Sequence, residues 1–248
     1  MPRLTIVIPT YNEAENIEAI SKALLELPLE DLGLLIVDDD SPDGTGSLAE
    51  VVAESNPGKV QVIHRKGKLG LGTAYITGFQ QALAEGADLV GQMDADFSHS
   101  PFYIPGFVEL LQDHDAVFGS RYVSGGSLDE GWGFWRVLLS GFGNAYARAI
   151  LGLGVQDVTG GFRIWRRETL SGMPLKRIRS NGYIFQVEMA FVAQRLGYKI
   201  VESPIHFEDR RIGQSKMSFR IQVEAALRVW QVLWLHRNLK PSDRLDIP

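Results

Sequence analysis

Short apolar runs alternate with helix signals through the first half of this chain, and the alternation limits the folds that it can adopt. The apolar runs cover residues 4–9, 34–37, 60–63 and 88–93. Helix signals fill the intervals at residues 12–27, 47–55 and 70–85. Each apolar run is short enough for a strand that is buried on both faces. Buried strands that alternate with helices predict an α/β fold, in which a mostly parallel sheet carries helices on both faces.

Polar motifs follow three of the predicted strands. They are Pro-Thr-Tyr-Asn-Glu at residues 9–13, the acidic segment 38–44, and Asp94-Ala95-Asp96. Ligands of open parallel sheets bind beyond the carboxyl ends of the strands, so we expect the three motifs to converge at one edge. Asp94 and Asp96 offer hard oxygen ligands that suit Mg²⁺ or Mn²⁺. An isolated Asp-x-Asp triplet can instead cap the next helix, but the acidic cluster at 38–40 favours a cation site.

The second half of the chain is less regular and carries the opposite charge. Residues 1–120 hold 6 basic and 19 acidic side chains, residues 121–248 hold 19 basic and 11 acidic ones, and the formal total is −5. Such a split indicates an anionic partner. The candidate phosphate-binding cations are Arg121, Arg136, Arg148, Arg163, Arg210, Arg211 and Lys216. The last three surround a glycine within residues 209–217, which predicts a mobile loop that grips phosphate.

The remaining elements complete one domain. Helices are predicted at residues 135–151, 185–196 and 219–236, strands at 117–120 and 199–206, and a polar loop at 157–163. No repeat, low-complexity tract or linker interrupts the chain. We therefore expect one domain whose main part covers residues 1–217. Residues 218–248 then form a C-terminal amphipathic helix and tail, which either belong to the same domain or contact a membrane surface.

Several kinds of site and segment are excluded. The chain has no cysteine, which rules out disulfides and thiolate metal ligands. Residues 67–72 lack the Gly-Lys-Ser/Thr ending of a P-loop, and no Rossmann glycine fingerprint follows the first strand. The N-terminus lacks the pattern of a signal peptide. No apolar run approaches the roughly 18 residues of a membrane-spanning helix.

Together these motifs resemble those of family 2 glycosyltransferases, which implies a GT-A-like nucleotide-sugar-binding fold. Further motifs resemble the dolichyl- or polyprenyl-phosphate mannose synthases within that family. They are Gly-Leu-Gly-Thr-Ala-Tyr at 70–75, Gly-Ser-Arg-Tyr at 119–122, Asp-Val-Thr-Gly-Gly-Phe-Arg at 157–163 and Gly-Gln-Ser-Lys-Met at 213–217. The resemblance covers residues 4–217. It implies transfer of mannose from GDP-mannose to a polyprenyl or dolichyl monophosphate, with Mg²⁺ or Mn²⁺ as cofactor.

The resemblance also implies roles for single residues. The guanosine and ribose of the donor would contact Pro9, Tyr11, Glu13, Val37 and Asp39. The metal that bridges the diphosphate would be held by Asp94 and Asp96, with the Ala95 backbone beside it. Phosphate would be bound by Arg121 and Arg210, Lys216 would close over the donor, and Arg136 and Ser140 match positions near the acceptor phosphate. The catalytic residues would be Asp96, Arg121, Arg210 and Lys216. Ser98 stands where some relatives have a Gln metal ligand, so an extra water is expected in the metal shell.

The implied chemistry needs no general base, because a lipid monophosphate is already ionised near neutral pH. Catalysis would then consist of positioning and electrostatic stabilisation, and direct displacement predicts a β-mannosyl phosphate. Two alternatives remain open at this point. One keeps the fold and uses UDP-glucose as the donor, and the other is a non-catalytic sugar-nucleotide-binding subunit.

A lipid acceptor implies a membrane nearby. Trp230 and Trp234 share the predicted last helix with Arg228 and Arg237, and this pairing is typical of a helix that lies on anionic lipid. The same helix can also simply cover the sheet. We expect a peripheral protein on the cytoplasmic face of a membrane, with no nucleic-acid partner. A membrane-protein partner is left open.

Overall fold

The computed structural model describes residues 2–129, 131–209 and 219–246, and the side chains of Phe134, Arg136 and residues 219–225 lie outside this description. The strands are β1 (Leu4–Thr10), β2 (Leu32–Asp38), β3 (Val60–His64), β4 (Leu89–Gln92), β5 (Ala116–Ser120), β6 (Ser127–Leu128), β7 (Arg163–Arg166), β8 (Ile200–Pro204) and β9 (His206–Phe207). The helices are α1 (Ile17–Leu25), α2 (Thr45–Ser55), α3 (Leu71–Ala84), α4 (Ile104–Leu110), α5 (Phe134–Leu151), α6 (Arg167–Gly172), α7 (Tyr183–Arg195) and α8 (Phe219–His236). Short 3₁₀ helices cover Pro101–Tyr103, Leu175–Arg177 and Pro241–Asp243.

Within the described residues, seven strands form one sheet in the order β3-β2-β1-β4-β7-β5-β8. Neighbouring strands run parallel except at β7, which is antiparallel to both β4 and β5. A separate parallel pair joins β6 to β9. The register places Thr10 of β1 opposite Asp38 of β2, so the polar residues that follow these strands share one edge. The predicted α/β fold with a mostly parallel sheet is confirmed.

Hydrophobic residues cover both faces of the sheet because alternate residues of a strand point to opposite sides. Ile6 and Ile8 of β1 join the core beside α1, whereas Val7 joins the core beside α3. Gly78 of α3 permits close packing there, since a Cβ at this position would overlap the Val7 side chain. Each aliphatic side chain buried in this way contributes about 1.5–3 kcal/mol to stability relative to an exposed one.

Two local predictions need correction. The polar loop expected at residues 157–163 ends one residue early, because Arg163 begins β7 in the middle of the sheet. The helix expected to open within residues 12–16 begins only at Ile17. The residues before this helix form a turn. There the backbone N–H of Glu13 donates to Thr45 Oγ1, and that of Ala14 donates to Asp43 Oδ2. Short elements such as α4 and α6 carry little sequence signal and were not predicted.

The last helix packs against α5 and α7. Val229 and Val232 on its inner side belong to the core, whereas Trp230 and Trp234 are 44% and 62% exposed. The inner side therefore covers the fold, and the outer side presents indole rings. No helix within the described residues is both long and apolar enough to cross a membrane. The division of the chain at residue 217 stays a prediction.

Candidate active site

A cavity of about 210 Å³ lies at the carboxyl edge of the sheet, beyond β1, β2 and β4. Its walls are formed by Pro9, Thr10, Tyr11, Glu13, Asp39, Lys68, Gly70, Leu71, Ala74, Asp94, Ala95 and Asp96. Three segments that are distant in the sequence meet there because parallel strands bring their carboxyl ends to one edge. Among the described residues predicted to bind the donor, the cavity gathers all except Val37, and Lys216 lies outside the described residues.

Asp94 and Asp96 follow β4 directly and reach the cavity from its floor. The Tyr75 hydroxyl donates a hydrogen bond to Oδ1 of Asp94 at 3.1 Å, and the backbone N–H of Ser98 donates to Oδ1 of Asp96 at 3.0 Å. Burial, and then the charge of Asp94, raise the pKa of Tyr75 well above its ordinary value. The hydroxyl therefore keeps its proton and orients one oxygen of Asp94.

Asp39 lies in the cavity wall, but the protein itself engages its carboxylate. Arg65 Nε donates to Oδ1 at 2.5 Å, and the backbone N–H groups of Leu69 and Gly70 donate to Oδ2 at 3.1 and 3.2 Å. Arg65 also donates to the Gly70 carbonyl at 3.1 Å. Asp39 thus fixes the loop that closes one side of the cavity. Its contact with the ribose of a donor stays a prediction.

Lys68, within this loop, was missed by the sequence analysis. Its Nζ lies 3.7 Å from the centroid of the Tyr11 ring, at a distance typical of a cation–π contact. The side chain thereby brings a positive charge to a cavity whose floor is acidic. The available sequence signal is the basic run Arg65-Lys66-Gly67-Lys68, which overlaps the 67–72 segment that was excluded as a P-loop.

Glu13 and Val37, which were also predicted to contact the donor, differ in their exposure to the cavity. Glu13 lines the cavity, and its carboxylate accepts a hydrogen bond from Asn16 Nδ2 at 2.8 Å. Val37 is fully buried, and its side chain packs into the core beside α3. Any contact of Val37 with the donor would therefore have to come from its backbone.

On the other side of the edge, Arg121 follows β5 and forms a buried ion pair. Its Nε and Nη2 donate to the two carboxylate oxygens of Asp157 at 2.6 and 2.7 Å, and Nη2 also donates to Thr159 Oγ1 at 2.9 Å. Burial works to lower the pKa of Arg121, but Asp157 raises it overall. Burial works to raise the pKa of Asp157, but Arg121 lowers it overall. Both groups are charged at neutral pH.

A hydrogen-bond network connects this pair to α5. The Tyr122 hydroxyl donates to Ser140 Oγ at 2.7 Å. One turn later, Asn144 Nδ2 donates to Thr159 Oγ1 at 3.1 Å, and Asn144 Oδ1 accepts from the Val158 backbone at 2.9 Å. Ser140 is therefore brought close to the Arg121 side of the edge, and its contact with an acceptor phosphate stays a prediction. Arg136 lies on the first turn of α5, while Arg210 and Lys216 lie outside the described residues.

Arg163, one of the candidate phosphate cations, points into the protein instead. It is fully buried, and its Nη1 and Nη2 donate to the carbonyls of Gln186 and Val158 at 2.8 and 2.9 Å. Burial lowers the pKa of Arg163 to about 9, so the guanidinium stays charged at neutral pH. It supports the 157–163 segment from beneath, and its interpretation as a phosphate ligand is wrong.

A comparison with known families decides the classification. The model described as Glycosyl transferase family 2 matches residues 5–172, which is more than half of the chain. The chain belongs to glycosyl transferase family 2.

Full-length relatives agree with this assignment. The transferase is 44% identical over 227 residues to the undecaprenyl-phosphate mannosyltransferase of Micrococcus luteus, covering 92% of each chain. It is 41% identical over 228 residues to the polyprenol monophosphomannose synthase of Mycolicibacterium smegmatis, covering 92% of this chain and 85% of that protein.

Solved structures support the GT-A-like fold of the transferase. Glucosyl-3-phosphoglycerate synthase of Mycobacterium tuberculosis, solved with Mn²⁺, UDP and glucosyl-3-phosphoglycerate, matches with a TM-score of 0.65 at 21% identity, covering 95% of this chain and 80% of that one. A mannosyltransferase of Pyrobaculum calidifontis, solved with GDP-Man and Mn²⁺, matches with a TM-score of 0.61 at 21% identity, covering 91% and 62%.

The acidic floor of the transferase fits a divalent cation. Among the described residues, no group of three or more His, Cys, Asp or Glu side chains could hold a metal by itself. Asp94 and Asp96 supply two hard oxygen donors on the floor of one cavity, and Mg²⁺ in enzymes typically combines one or two carboxylates with substrate phosphates and water. The donor set therefore suits a metal that is completed by a diphosphate.

The floor is braced by residues that the sequence analysis also missed. Gln92, fully buried at the end of β4, donates to the Gly161 carbonyl at 3.1 Å and to Gln186 Oε1 at 2.7 Å, and it accepts from Trp165 Nε1 at 3.0 Å. Gly161 lies beside Asp94, since a Cβ there would be 3.6 Å from Oδ2. A lone Gln inside the apolar run 88–93 was the available signal for this brace.

Proposed function

We propose that this family 2 transferase moves mannose from GDP-mannose to a polyprenyl monophosphate, giving polyprenyl-phosphate β-mannose and GDP. The observation that carries the proposal is the cavity, whose walls include both the carboxylates of Asp94 and Asp96 and the cation of Lys68. The names of the two full-length relatives support both the sugar and the class of acceptor.

The residues divide the work by position. In the proposal, Pro9, Tyr11, Glu13, Asp39 and the backbone at Val37 contact the guanosine and ribose. Asp94 and Asp96 would hold Mg²⁺ or Mn²⁺ beside the Ala95 backbone, where the cation would neutralise charge on the departing diphosphate. Lys68, which also lines the cavity, adds a positive charge. Lys216 closes over the donor.

The acceptor phosphate is assigned to Arg121, Arg136, Ser140 and Arg210. Asn144 Nδ2 also donates to the Ser140 carbonyl at 3.2 Å, so Ser140 and Arg121 lie at the ends of one hydrogen-bond network that runs through Asn144 and Thr159, which supports their joint use. The acceptor oxygen is already ionised, so these residues hold it in line with the anomeric carbon rather than remove a proton. The acceptor oxygen attacks the anomeric carbon from the face opposite the bond to GDP. The new carbon–oxygen bond forms as the bond to GDP breaks, and the anomeric centre is inverted.

The decisive assay uses purified protein with Mn²⁺ or Mg²⁺, undecaprenyl phosphate, and radiolabelled GDP-mannose or UDP-glucose. We expect metal-dependent transfer of mannose into the lipid fraction, with a β linkage by nuclear magnetic resonance. Preferential transfer from UDP-glucose would replace the proposed donor. An α linkage would contradict single displacement, and the absence of turnover by wild-type protein would favour a non-catalytic subunit.

We further propose that the protein binds the cytoplasmic face of a membrane through α5 and α8. The exposed apolar side chains of α5 include Trp135, Leu138, Leu139 and Phe142, and those of α8 include Leu227, Trp230, Trp234 and Leu235. Trp230 Nε1 donates to the Tyr146 hydroxyl of α5 at 3.0 Å, which joins the two faces into one surface. Arg237 lies 3.9 Å over the Trp234 ring and adds positive charge at its edge. Indole rings with flanking cations suit the interface of an anionic bilayer.

Sedimentation with anionic vesicles tests this surface. We expect a variant with Trp135→Ser, Phe142→Ser and Trp234→Ser to lose most of its vesicle binding. Leu48→Ser with Val51→Ser removes exposed apolar side chains from α2, away from this surface, and serves as the matched control. Equal loss in both variants, or in neither, would contradict a specific contact through α5 and α8.

A further inference from the structure

A buried hydrogen bond joins the end of α8 to the middle of α7. His236 Nε2 lies 2.7 Å from Glu188 Oε1, and the two side chains are 0% and 1% exposed. Burial works to raise the pKa of Glu188, but hydrogen bonds from His236 and Ser180 hold that pKa below its ordinary value. The carboxylate is therefore charged, and His236 Nε2 donates to it. A charged group this deeply buried depends strongly on its partners.

Glu188 also holds the segment that precedes α7. Its Oε2 accepts hydrogen bonds from the backbone N–H groups of Arg179 and Ser180 at 3.2 and 2.8 Å. One carboxylate thus fastens two elements at once, the C-terminal turn of α8 and the chain at 179–180. If His236 is removed, the carboxylate loses a partner and the hold on this segment weakens.

The same segment abuts the start of α3. A Cβ at Gly72 would overlap the Ser180 carbonyl oxygen and lie 2.9 Å from the Phe185 ring. A Cβ at Gly70 would lie 3.0 Å from Asn181 Oδ1, and Gly70 has a φ of +101° that only glycine adopts readily. The missing side chains at both positions let residues 180–181 pack directly against the backbone of this turn.

The turn in question is a wall of the cavity, since Gly70, Leu71 and Ala74 all line it. A continuous set of contacts therefore runs from His236 through Glu188 and residues 180–181 to the donor side of the site. We propose that Glu188 and His236 are positioning residues for the donor cavity, which make its α3 wall depend on how α8 is seated. The identity of the nucleotide in this inference rests on the proposed function.

A double-mutant cycle on nucleotide affinity tests the link. Calorimetry measures the Kd of GDP with Mn²⁺ for wild type, His236→Leu, Asn181→Ala and the double variant. We expect each single variant to bind GDP about three- to tenfold more weakly. Both substitutions interrupt the same set of contacts. We therefore expect the double variant to bind GDP with nearly the same Kd as the weaker-binding single variant. Steady-state kinetics should show the KM for GDP-mannose rising while kcat changes little.

His114→Leu provides the control, since the His114 imidazole contacts the Leu110 carbonyl and lies away from α7 and α8. A merely structural role for His236 would lower the melting temperature of His236→Leu and leave the Kd unchanged, which overturns the proposal. Additive effects in the cycle would also overturn it.

Asn181 is exposed, so Asn181→Ala tests the far end of the link even if His236→Leu does not fold. Unchanged GDP affinity in Asn181→Ala would by itself contradict the inference. If wild-type protein binds UDP and not GDP, the proposed donor is wrong, and the same cycle with UDP still decides the coupling.

Discussion

The two sides of the carboxyl edge use charged residues differently. On the donor side, Asp94 and Asp96 line an open cavity, and Asp39 in its wall pairs with Arg65. On the acceptor side, Arg121 is forked onto Asp157 in a pair that is almost completely buried. One side therefore offers carboxylates to an incoming cation, while the other begins with its cation already neutralised.

The difference follows from how the two sides are built. The donor side consists of parallel strands, each of which delivers a polar segment to the same place. The acceptor side includes the antiparallel β7, so the 157–163 segment enters the sheet from this edge and brings its carboxylate next to Arg121. A phosphate that binds near Arg121 has to share that guanidinium with Asp157. We therefore expect loss of a donor-side carboxylate to reduce the rate of transfer directly, whereas loss of Asp157 should first reduce the stability of the fold.

Removal of one floor carboxylate should have the largest effect. Asp96→Asn keeps the shape of the side chain and the hydrogen bond from Ser98, but it removes the charge that a divalent cation needs. We expect mannosyl transfer to fall by at least about 100-fold, because charge stabilisation at the leaving group is usually a dominant part of catalysis. Transfer rates and Mn²⁺-dependent GDP binding measure this. Activity near wild type would remove the cavity as the catalytic site.

On the acceptor side, breaking the ion pair should first affect stability. Asp157→Asn leaves the Arg121 charge buried without its counter-ion, and loss of one partner of a buried pair typically costs about 3–5 kcal/mol. Urea unfolding of the two proteins measures the difference. The double variant Arg121→Met with Asp157→Asn should recover much of this loss yet transfer mannose poorly. Full activity in the double variant would show that Arg121 has no role in phosphate binding.

The pH dependence of the same pair has a definite sign. The pKa of Asp157 lies below its ordinary value of 3.8, so the pair stabilises the folded state when the carboxylate is ionised. The stability advantage of wild type over Asp157→Asn should therefore be constant from neutral pH down to about 5 and shrink as pH falls below about 4. An advantage that instead grew in acid would contradict the assignment of charge.

The sequence predicts a site residue when the strand before it determines its position, and fails when contacts between distant side chains determine it. Asp94, Tyr11 and Glu13 follow strands, and the rule for parallel sheets is sufficient to bring them together. Lys68 enters only because Asp39 and Arg65 fold its loop over the cavity, which no local pattern indicates. The side-chain pairing in three dimensions decides that placement.

Strand β7 escaped prediction for a related reason. Its four residues begin and end with arginine, so they show neither an apolar run nor alternation. The buried guanidinium of Arg163 is tolerated because two carbonyls accept its hydrogen bonds and the Phe118 ring lies 4.0 Å away. These contacts with the guanidinium form only in the folded protein, so a pattern of apolar residues in the sequence does not predict them.

Tyr75 tests how far the donor floor is organised by residues beneath it. Tyr75→Phe removes the hydrogen bond to Asp94 and keeps the ring that stacks on Phe185. We expect the apparent affinity for Mn²⁺ in the presence of GDP to fall about tenfold, as is usual when a residue that orients a metal ligand is lost. Tyr198→Phe, on the opposite side of the fold, is the matched control. Equal metal affinity in both variants would show that Asp94 needs no such support.

The smallest effect on GDP affinity is expected at Lys68. Asp39 pairs with Arg65, whereas the Lys68 cation lies over the Tyr11 ring. Lys68→Gln removes a positive charge that would attract the diphosphate, and exposed charge pairs contribute about 0.2–1 kcal/mol, which corresponds to at most about a fivefold change in affinity. GDP affinity should weaken within this range, and by less in high salt, where exposed charges are screened. Lys66→Gln changes the same charge two residues earlier, outside the cavity wall, and should leave GDP affinity unchanged. If both variants weaken GDP binding equally, the loop acts through its general charge, and the position of Lys68 over Tyr11 has no specific role in holding the donor.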